Sequence, residues 1–219
     1  MSGAEEMGRA AWAERSAAWA ASAAPGKAQD DTLSQMLIAA AAIRPGEFIL
    51  DTASGTGNPA ISMALAMDGR GGIVCGDFTL KMIEAARGRA ETLLLATMRF
   101  ACCDMVALPF RADTFDGITC RFGLMSVKDK VAAAREALRV LKPGGRAAYM
   151  VWGLYEENPP FHVPRRAVAR FFGESEGPPP GRHVMGAPGA VKDVLDRAGF
   201  VRAEEREARY KNTVADPLA

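Results

Sequence analysis

The first indication of the fold of this 219-residue chain is the stretch Ile49-Leu50-Asp51-Thr52-Ala53-Ser54-Gly55-Thr56-Gly57-Asn58-Pro59-Ala60. A short apolar run ends in an acid and is followed by a loop of small residues and a helical pattern. Small residues after a strand let a ligand approach the backbone, and the free amides that begin a helix point at that ligand. The strict Gly-x-Gly-x-x-Gly pattern is absent, because Ala53 and Ala60 hold its first and last positions. By itself the stretch predicts a βα turn, and a tight turn with no ligand would have much the same sequence.

Short apolar runs and helical patterns alternate along the rest of the chain. The apolar runs predict strands over residues 48–50, 73–75, 98–103, 115–122, 147–152 and 200–210. The helical patterns cover residues 10–24, 33–43, 59–67, 80–95, 129–141, 163–172 and 191–198. Apolar strands that alternate with helices are typical of a parallel sheet covered on both faces. The sequence therefore predicts an α/β fold, a Rossmann-like, doubly wound, mostly parallel sheet with helices on both faces.

A proline-rich stretch over residues 156–188 follows the fifth predicted strand. It is too long for an ordinary connection between a strand and a helix. We therefore expect a lid, inserted after strand 5 over the carboxyl edge of the sheet, and one domain in all.

Composition excludes several classes of protein. Charge is nearly balanced, with 27 Lys and Arg against 26 Asp and Glu, so the basic excess of a nucleic-acid-binding protein is missing. The four cysteines have no Cys-x-x-Cys spacing and lie among apolar residues, which favours reduced thiols in the cytoplasm. We expect no metal. The longest apolar run, Met36 to Ile43, is too short to cross a bilayer, so no stable membrane insertion is expected.

Two further acids follow predicted strands. Asp77 comes twenty residues after Gly57, a spacing at which a carboxylate accepts from ribose hydroxyls, although aspartate also caps helices. With the preceding loop, the nucleoside interpretation is favoured. Asp104 follows the third strand and would suit an adenine amino group, but aspartate also starts turns for local reasons.

The order of these motifs resembles that of a class I S-adenosylmethionine-dependent methyltransferase, most closely the ubiquinone/menaquinone biosynthesis C-methyltransferase type. The resemblance runs from about Ile43 to Trp152 and returns at residues 196–200. The matching motifs are Leu50-Asp51-x-Ala53-x-Gly55-Thr56-Gly57, Gly76-Asp77-x-Thr79-x-x-Met82, Cys103-Asp104-Met105-x-Ala107-Leu108-Pro109-Phe110, Phe115-Asp116-x-Ile118-Thr119, Arg121-Phe122-Gly123-Leu124 and Arg139-Val140-Leu141-Lys142-Pro143-Gly144-Gly145.

The resemblance implies a binding role for thirteen residues, with S-adenosyl-L-methionine as the cofactor. Its methionine part would be held by Asp51 and by the loop residues Ala53, Ser54, Gly55, Thr56 and Gly57. Asp77 would accept from both ribose hydroxyls, with Phe78 and Met82 packed on the adenine. Asp104 would accept from the adenine amino group, and Met105 would close the adenine pocket. The Arg121 backbone would face the amino group of the cofactor's methionine part, and Phe122 would line the channel.

The same resemblance divides the single domain, residues 1–219, into four parts. They are N-terminal cap helices (residues 1–44), a cofactor-binding core (residues 45–152), a substrate lid (residues 153–190), and a C-terminal helix and strand (residues 191–219). The family adds a seventh, antiparallel strand, for which Asn212 to Ala219 is a poor candidate, so the chain is expected to be naturally short or truncated. Met125-Ser126 replaces the family's usual Arg-Asn, which weakens a quinone as the substrate but leaves the cofactor unaffected.

No single catalytic residue stands out. A general base is needed only if the methyl acceptor arrives protonated, and the weak candidates are His162 and Tyr155. His162 and His183 are the only histidines, and for both a solvated loop position is the favoured interpretation. The arginine cluster Arg165, Arg166 and Arg170 could bind an anionic substrate or a lipid headgroup, or could form a solvated helix face. Trp12 and Trp19 could cap the substrate pocket or pack the helix on the domain.

These observations favour an enzyme that methylates a small, apolar or aromatic acceptor. The alternatives are a non-catalytic S-adenosylmethionine-binding partner protein and, with less support, a nicotinamide-dependent oxidoreductase. We expect a small-molecule substrate and no nucleic-acid partner, and a homodimer is compatible with the sequence.

Overall fold

A parallel five-stranded sheet forms the centre of the computed structural model, which describes residues 12, 14, 18 and 31–211. The strands are β1 (Phe48–Thr52), β2 (Gly72–Asp77), β3 (Met98–Cys102), β4 (Phe115–Arg121) and β5 (Leu141–Met150). Their order in the sheet is β3-β2-β1-β4-β5, and every pair is parallel. The direction of winding reverses between β1 and β4, which opens a crevice at their carboxyl ends.

Helices cover both faces of the sheet, because alternate residues of each strand point to opposite layers. The helices are α1 (Thr32–Ala41), α2 (Ala60–Ala66), α3 (Leu80–Thr92), α4 (Lys130–Val140), α5 (Pro159–Phe172) and α6 (Ala190–Ala198). Ile49 and Ile73 pack with α2 and α3, whereas Leu50 and Val74 pack on the other side with α4. Leu37 of α1 packs near β5 on the first face. The predicted doubly wound α/β fold is confirmed.

The strand predicted over residues 200–210 is wrong. No strand forms between residue 199 and residue 211, where the description of the chain ends. The carboxylate of Glu205 instead accepts from the amides of Gly189, Val191 and Lys192 at 2.7–3.0 Å. These are amides at the start of α6 that have no partner inside the helix. The segment that was predicted as the last strand therefore caps the start of α6 instead of joining the sheet.

Two boundaries also differ from expectation. β5 begins directly after α4, at Leu141, and includes the Lys142-Pro143-Gly144-Gly145 stretch, which lies between the helix predicted over residues 129–141 and the strand predicted over residues 147–152. The register with β4 shifts there, from Phe115 paired with Leu141 to Gly117 paired with Arg146. α5 begins at Pro159, four residues before the predicted start, since proline is well suited to the first turn of a helix.

Most of the helix predicted over residues 10–24 lies outside the described residues. Only Trp12, Glu14 and Ala18 of that segment are described, and Trp19 is not. Within the described ranges no helix is long and apolar enough to cross a membrane.

Candidate functional site

The loop after β1 crosses the carboxyl edge of the sheet in a left-handed conformation. Ala53, Gly55 and Gly57 have φ values of 51°, 54° and 104°. The Ser54 amide donates to the Gly76 carbonyl at 3.0 Å, which ties the loop to the end of β2. A side chain at Gly57 would meet Ile61 Cδ1 at 2.9 Å, so the loop also packs closely on α2. The end of β2 and helix α2 thus hold the loop in place along the crevice.

Asp77 locks this loop from the end of β2. Its carboxylate accepts from the Gly55 amide at 3.0 Å and from the Thr79 amide at 2.9 Å. The N-cap of α3 is Thr79, so the alternative that Asp77 caps the helix is wrong. Burial raises the pKa of Asp77, and the two amide bonds oppose that rise. The Thr79 hydroxyl is a third donor to this carboxylate, which has about four acceptor sites, so acceptor capacity remains for a ligand.

Asp51 is fully buried at the end of β1, in the middle of the crevice. Its Oδ1 atom accepts from the Thr119 hydroxyl at 2.7 Å, whereas its buried Oδ2 atom has no partner within hydrogen-bonding geometry among the described residues. Burial raises the pKa of Asp51 to about 7, against the opposing effects of the Thr119 hydrogen bond, the Arg121 charge and the nearby Ala60 backbone amide. A buried acceptor with so few donors is costly and uncommon. The Asp51 carboxylate therefore keeps capacity to accept from a bound ligand.

A polar network closes the crevice from the side of α1. The guanidinium of Arg121 forms an ion pair with Asp31 and donates to the Ser34 hydroxyl at 3.0 Å. The Asn58 side-chain amide donates to the same Asp31 carboxylate at 2.8 Å. Burial raises the pKa of Asp31, but the Arg121 charge and three hydrogen bonds bring it below its ordinary value. Sequence analysis assigned only the backbone of Arg121 to the site and missed Asp31.

Two signals bear on the residues that sequence analysis missed. Asp31 precedes an apolar helix and accepts from the Ser34 amide, so an N-cap pattern marks its place but not its pairing with Arg121. Arg89 of α3 donates to the Thr56 carbonyl at 2.6 Å and is only 9% exposed. No local pattern distinguishes Arg89 from a solvated helix residue.

The residues predicted around an adenine lie at the starts of α3 and of the β3–β4 connection. Phe78 is 37% exposed, whereas Met82 is buried. Asp104 is half-buried, and its Oδ1 atom accepts from the Val106 amide at 3.1 Å, so it does start a local turn as the alternative proposed. Met105 packs with the cluster that contains Phe122. The structure thus places these side chains along the same edge as Asp51 and Asp77.

Gly123 allows β4 to meet the β1 loop. A Cβ atom at Gly123 would overlap the Ala53 methyl group and lie 2.9 Å from Cys120 Sγ. We expect Gly123→Ala to destabilise the fold by about 2 kcal/mol, as overpacked cores do. Adding Ala53→Gly should recover part of this loss, since it removes one of the two clashes. Chemical denaturation of the two single variants and the double variant measures the coupling, and fully additive effects would contradict the contact.

A chain of aromatic rings leads from the end of β4 into the segment predicted as a lid. The Phe122 ring stacks on Trp152, with centroids 4.2 Å apart and planes 5° apart. Trp152 meets Phe161 edge to face at 4.8 Å, and Phe161 meets the His183 ring at 5.3 Å. The site therefore has an apolar, aromatic side next to its polar crevice.

His183 is buried within this aromatic group, so the expected solvated loop position is wrong for it; only 8% of the residue is exposed. Its Nδ1 atom lies 2.8 Å from the Gly153 carbonyl, and its Nε2 atom is buried with no hydrogen-bond partner among the residues that the structure describes. His162 is half-buried, and within the same described residues its buried Nδ1 atom has no partner either. The Tyr155 hydroxyl donates to Glu176 at 2.6 Å, and burial together with that carboxylate raises the pKa of Tyr155.

Sequence comparison assigns this arrangement to a family. The model of the ubiE/COQ5 methyltransferase family matches residues 28–161, which is more than half of the chain. The chain belongs to that family. Its similarity to the ubiquinone/menaquinone biosynthesis C-methyltransferase UbiE of Xanthomonas campestris pv. campestris is 40% identity over 111 residues. That stretch covers 50% of this chain and 44% of the relative. The family predicted from the motifs is confirmed.

Solved structures support the fold of this ubiE/COQ5 family member. An S-adenosylmethionine-dependent methyltransferase from Aquifex aeolicus superimposes with a TM-score of 0.60 at 19% identity, covering 81% of this chain and 88% of that protein. The [4+2]-cyclase SpnF superimposes with a TM-score of 0.59 at 24% identity, over 77% and 57%. Because a cyclase shares the fold, the fold does not identify the reaction.

Proposed function

We propose that this chain is an S-adenosylmethionine-dependent methyltransferase that acts on a small, apolar or aromatic acceptor. The observation that carries the proposal is the buried Asp51 carboxylate, whose Oδ2 atom has no partner within hydrogen-bonding geometry in the described part of the chain, beside a loop that Asp77 holds in place. The cofactor's methionine part carries an ammonium group, and its ribose carries two hydroxyls. Family membership supports the same assignment.

The residues present fit this cofactor. Asp51 is buried beside the crevice and keeps acceptor capacity, as does Asp77, and the Phe78 side chain is partly exposed where an adenine would lie. The remaining residues proposed to hold the cofactor are Ala53, Ser54, Gly55, Thr56, Gly57, Met82, Asp104, Met105, Arg121 and Phe122. When bound, the cofactor supplies a methyl group activated on a sulfonium sulfur.

The chain's own contribution is alignment and exclusion of water. Phe122 and Trp152 form a flat, stacked wall at the end of β4 and β5. Aromatic faces attract cations, so this wall favours a sulfonium on one side and an apolar acceptor on the other. Phe161 extends the wall toward His183 and supports an aromatic acceptor.

His183 is better suited than His162 or Tyr155 to take a proton from the acceptor. A carbonyl can only accept, so the contact with Gly153 requires a proton on Nδ1 and leaves the lone pair on Nε2. That atom is buried beside the aromatic rings of Tyr155 and Phe161. The Tyr155 hydroxyl, in contrast, already donates to Glu176, and the raised pKa of Tyr155 makes the phenolate harder to form.

Transfer of a labelled methyl group tests the proposed reaction. The protein would be incubated with methyl-tritiated S-adenosylmethionine and a panel of phenols, hydroquinones and apolar amines, and label would be counted in the organic extract. We expect label in at least one aromatic acceptor. Tight cofactor binding with no transfer to any acceptor would instead favour the non-catalytic binding protein.

We expect His183→Asn to lower kcat by at least a hundredfold for a protonated acceptor, within the range for a lost general base. Asparagine keeps a donor for the Gly153 carbonyl and removes Nε2. KM should change little, added imidazole should restore part of the rate, and His162→Asn is the matched control. Equal losses in the two variants, or a loss that imidazole does not relieve, would assign His183 a packing role.

The proposed setting follows from charge and thiol chemistry. The near-neutral net charge supports a small-molecule substrate and no nucleic acid, and a homodimer is compatible with it. All four cysteines are free, which supports a reducing cytoplasmic setting.

A further inference from the structure

Helix α5 presents an apolar face to solvent. Proline, valine, alanine and phenylalanine side chains recur at helical spacing along it, and none of its residues is buried. Phe171 is 83% exposed, Val168 is 57% exposed and Val163 is 54% exposed. We define the α5 face by its six exposed apolar residues, Pro160, Val163, Pro164, Ala167, Val168 and Phe171.

The opposite side of α5 fixes the orientation of the helix on the domain. Phe161 packs against Trp152, and His162 meets the Tyr155 ring. Arg165 donates to the Pro178 carbonyl at 2.8 Å. The side turned toward the protein thus combines Phe161 with polar groups, while the α5 face turns outward. A surface helix usually buries its larger apolar side in its own domain, whereas α5 leaves most of its apolar residues exposed.

Positive charge borders the α5 face. Arg166 and Arg170 lie one turn apart along its edge, are both exposed, and the helix contains no acidic residue. Arg166 also contacts Glu176 at 3.2 Å, with 62% of its side chain exposed. An apolar helical face with aromatic residues and an arginine edge is the composition that binds in the headgroup region of anionic bilayers.

We propose that α5 docks on an anionic membrane surface and lies in its plane. Val168 and Phe171 enter the boundary between headgroups and acyl chains, and Arg166 and Arg170 contact lipid phosphates. A helix of 14 residues is about 21 Å long, enough to lie along the surface. A second copy of the chain fits this face less well, because the two arginine edges would meet with no acid of α5 between them.

Sedimentation with vesicles tests the proposal on the full chain. We expect binding to phosphatidylcholine vesicles that contain 30 mol% phosphatidylglycerol, and at least tenfold weaker binding to phosphatidylcholine alone. Phe171→Asp should weaken the binding to anionic vesicles more than tenfold. Val201→Asp is the matched control, because Val201 is 96% exposed and lies outside α5. Melting curves check that both variants remain folded.

The arginine edge is tested separately. Removing one charge near an anionic surface lowers binding on the order of fivefold at low salt. Arg166→Gln combined with Arg170→Gln should therefore act far more strongly than the charge-matched control, Arg70→Gln combined with Arg202→Gln. The difference should shrink at high salt, because exposed charges are screened.

Three results would overturn the membrane assignment. They are no binding to anionic vesicles, equal binding by Phe171→Asp and Val201→Asp, and a mass in light scattering that falls from dimer to monomer in Phe171→Asp. The last would assign the α5 face to a second copy.

Discussion

Asp77→Ala is expected to weaken S-adenosylhomocysteine binding by at least a hundredfold. The variant would lose the carboxylate that accepts from the ribose, and a hydrogen bond to a charged group is worth about 1.5–3 kcal/mol. It would also release the Gly55 amide, which Asp77 accepts from at 3.0 Å, so the loop itself would be less ordered. Calorimetric titration of both proteins measures the difference.

Two further variants separate binding from folding. Asp77→Asn keeps the shape and one acceptor oxygen but sets an NH2 group against one of the two backbone amides, so it should remain folded with lower stability and lose at least tenfold in affinity. Asp116 lies at the opposite end of the sheet, where it accepts from the Phe48 amide at 2.8 Å and from Lys142 at 2.7 Å. Asp116→Ala should therefore destabilise the fold and leave affinity unchanged. Equal affinities for the wild type and Asp77→Asn would remove Asp77 from the ribose site.

Asp51→Asn is expected to stabilise the ligand-free protein at alkaline pH. The folded pKa of Asp51, about 7, lies above its unfolded value of 3.8, so the folded state binds the proton more tightly. The stability from this group is present below about pH 4 and is lost as the pH rises through about 7. The integrated loss is about 4 kcal/mol, at about 1.4 kcal/mol for each pH unit.

The expected gain in Asp51→Asn is therefore largest near pH 8.5 and small near pH 4. Denaturant unfolding at these two pH values measures it as the difference between variant and wild type. Asp31, Asp116 and Glu136 have lowered pKa values, which change stability in the opposite direction at low pH, but they are common to both proteins and cancel. A gain that does not depend on pH would contradict a buried, titrating Asp51.

The same substitution should impair cofactor binding. A neutral amide pairs with an ammonium group less well than a carboxylate, so we expect at least tenfold weaker affinity for S-adenosylhomocysteine at pH 8. Wild-type affinity should rise between pH 6 and 8 as Asp51 ionises. The ionised Asp51 carboxylate thus lowers the stability of the ligand-free protein and raises its affinity for the cofactor, a trade-off that is common at binding sites.

The sequence was sufficient for the features that depend on short-range patterns. The apolar runs ending at Asp51 and Asp77, with small residues in between, define a strand, a loop and the next strand because each signal lies within a few residues. Parallel strands bring their carboxyl ends together, so the shared edge of Asp51, Asp77 and Asp104 followed from fold class alone.

Features that depend on contacts across the chain were not predictable. Asp31 and Arg121 are 90 residues apart, and their pairing follows from how α1 packs on β4. His183 is buried because Gly153 and the rings of the lid segment surround it, whereas its neighbours in sequence are typical of a loop. The misassigned strand at residues 200–210 has the same cause, since Glu205 meets the start of α6 only in the folded chain.

Calorimetric titration of the wild-type protein at pH 8 with S-adenosylmethionine, S-adenosylhomocysteine and NADH shows which cofactor the crevice holds. We expect micromolar binding of both adenosyl compounds and no heat of binding with NADH. Binding of NADH alone would instead favour an oxidoreductase, and binding of none of the three would overturn the assignment of the crevice to S-adenosylmethionine.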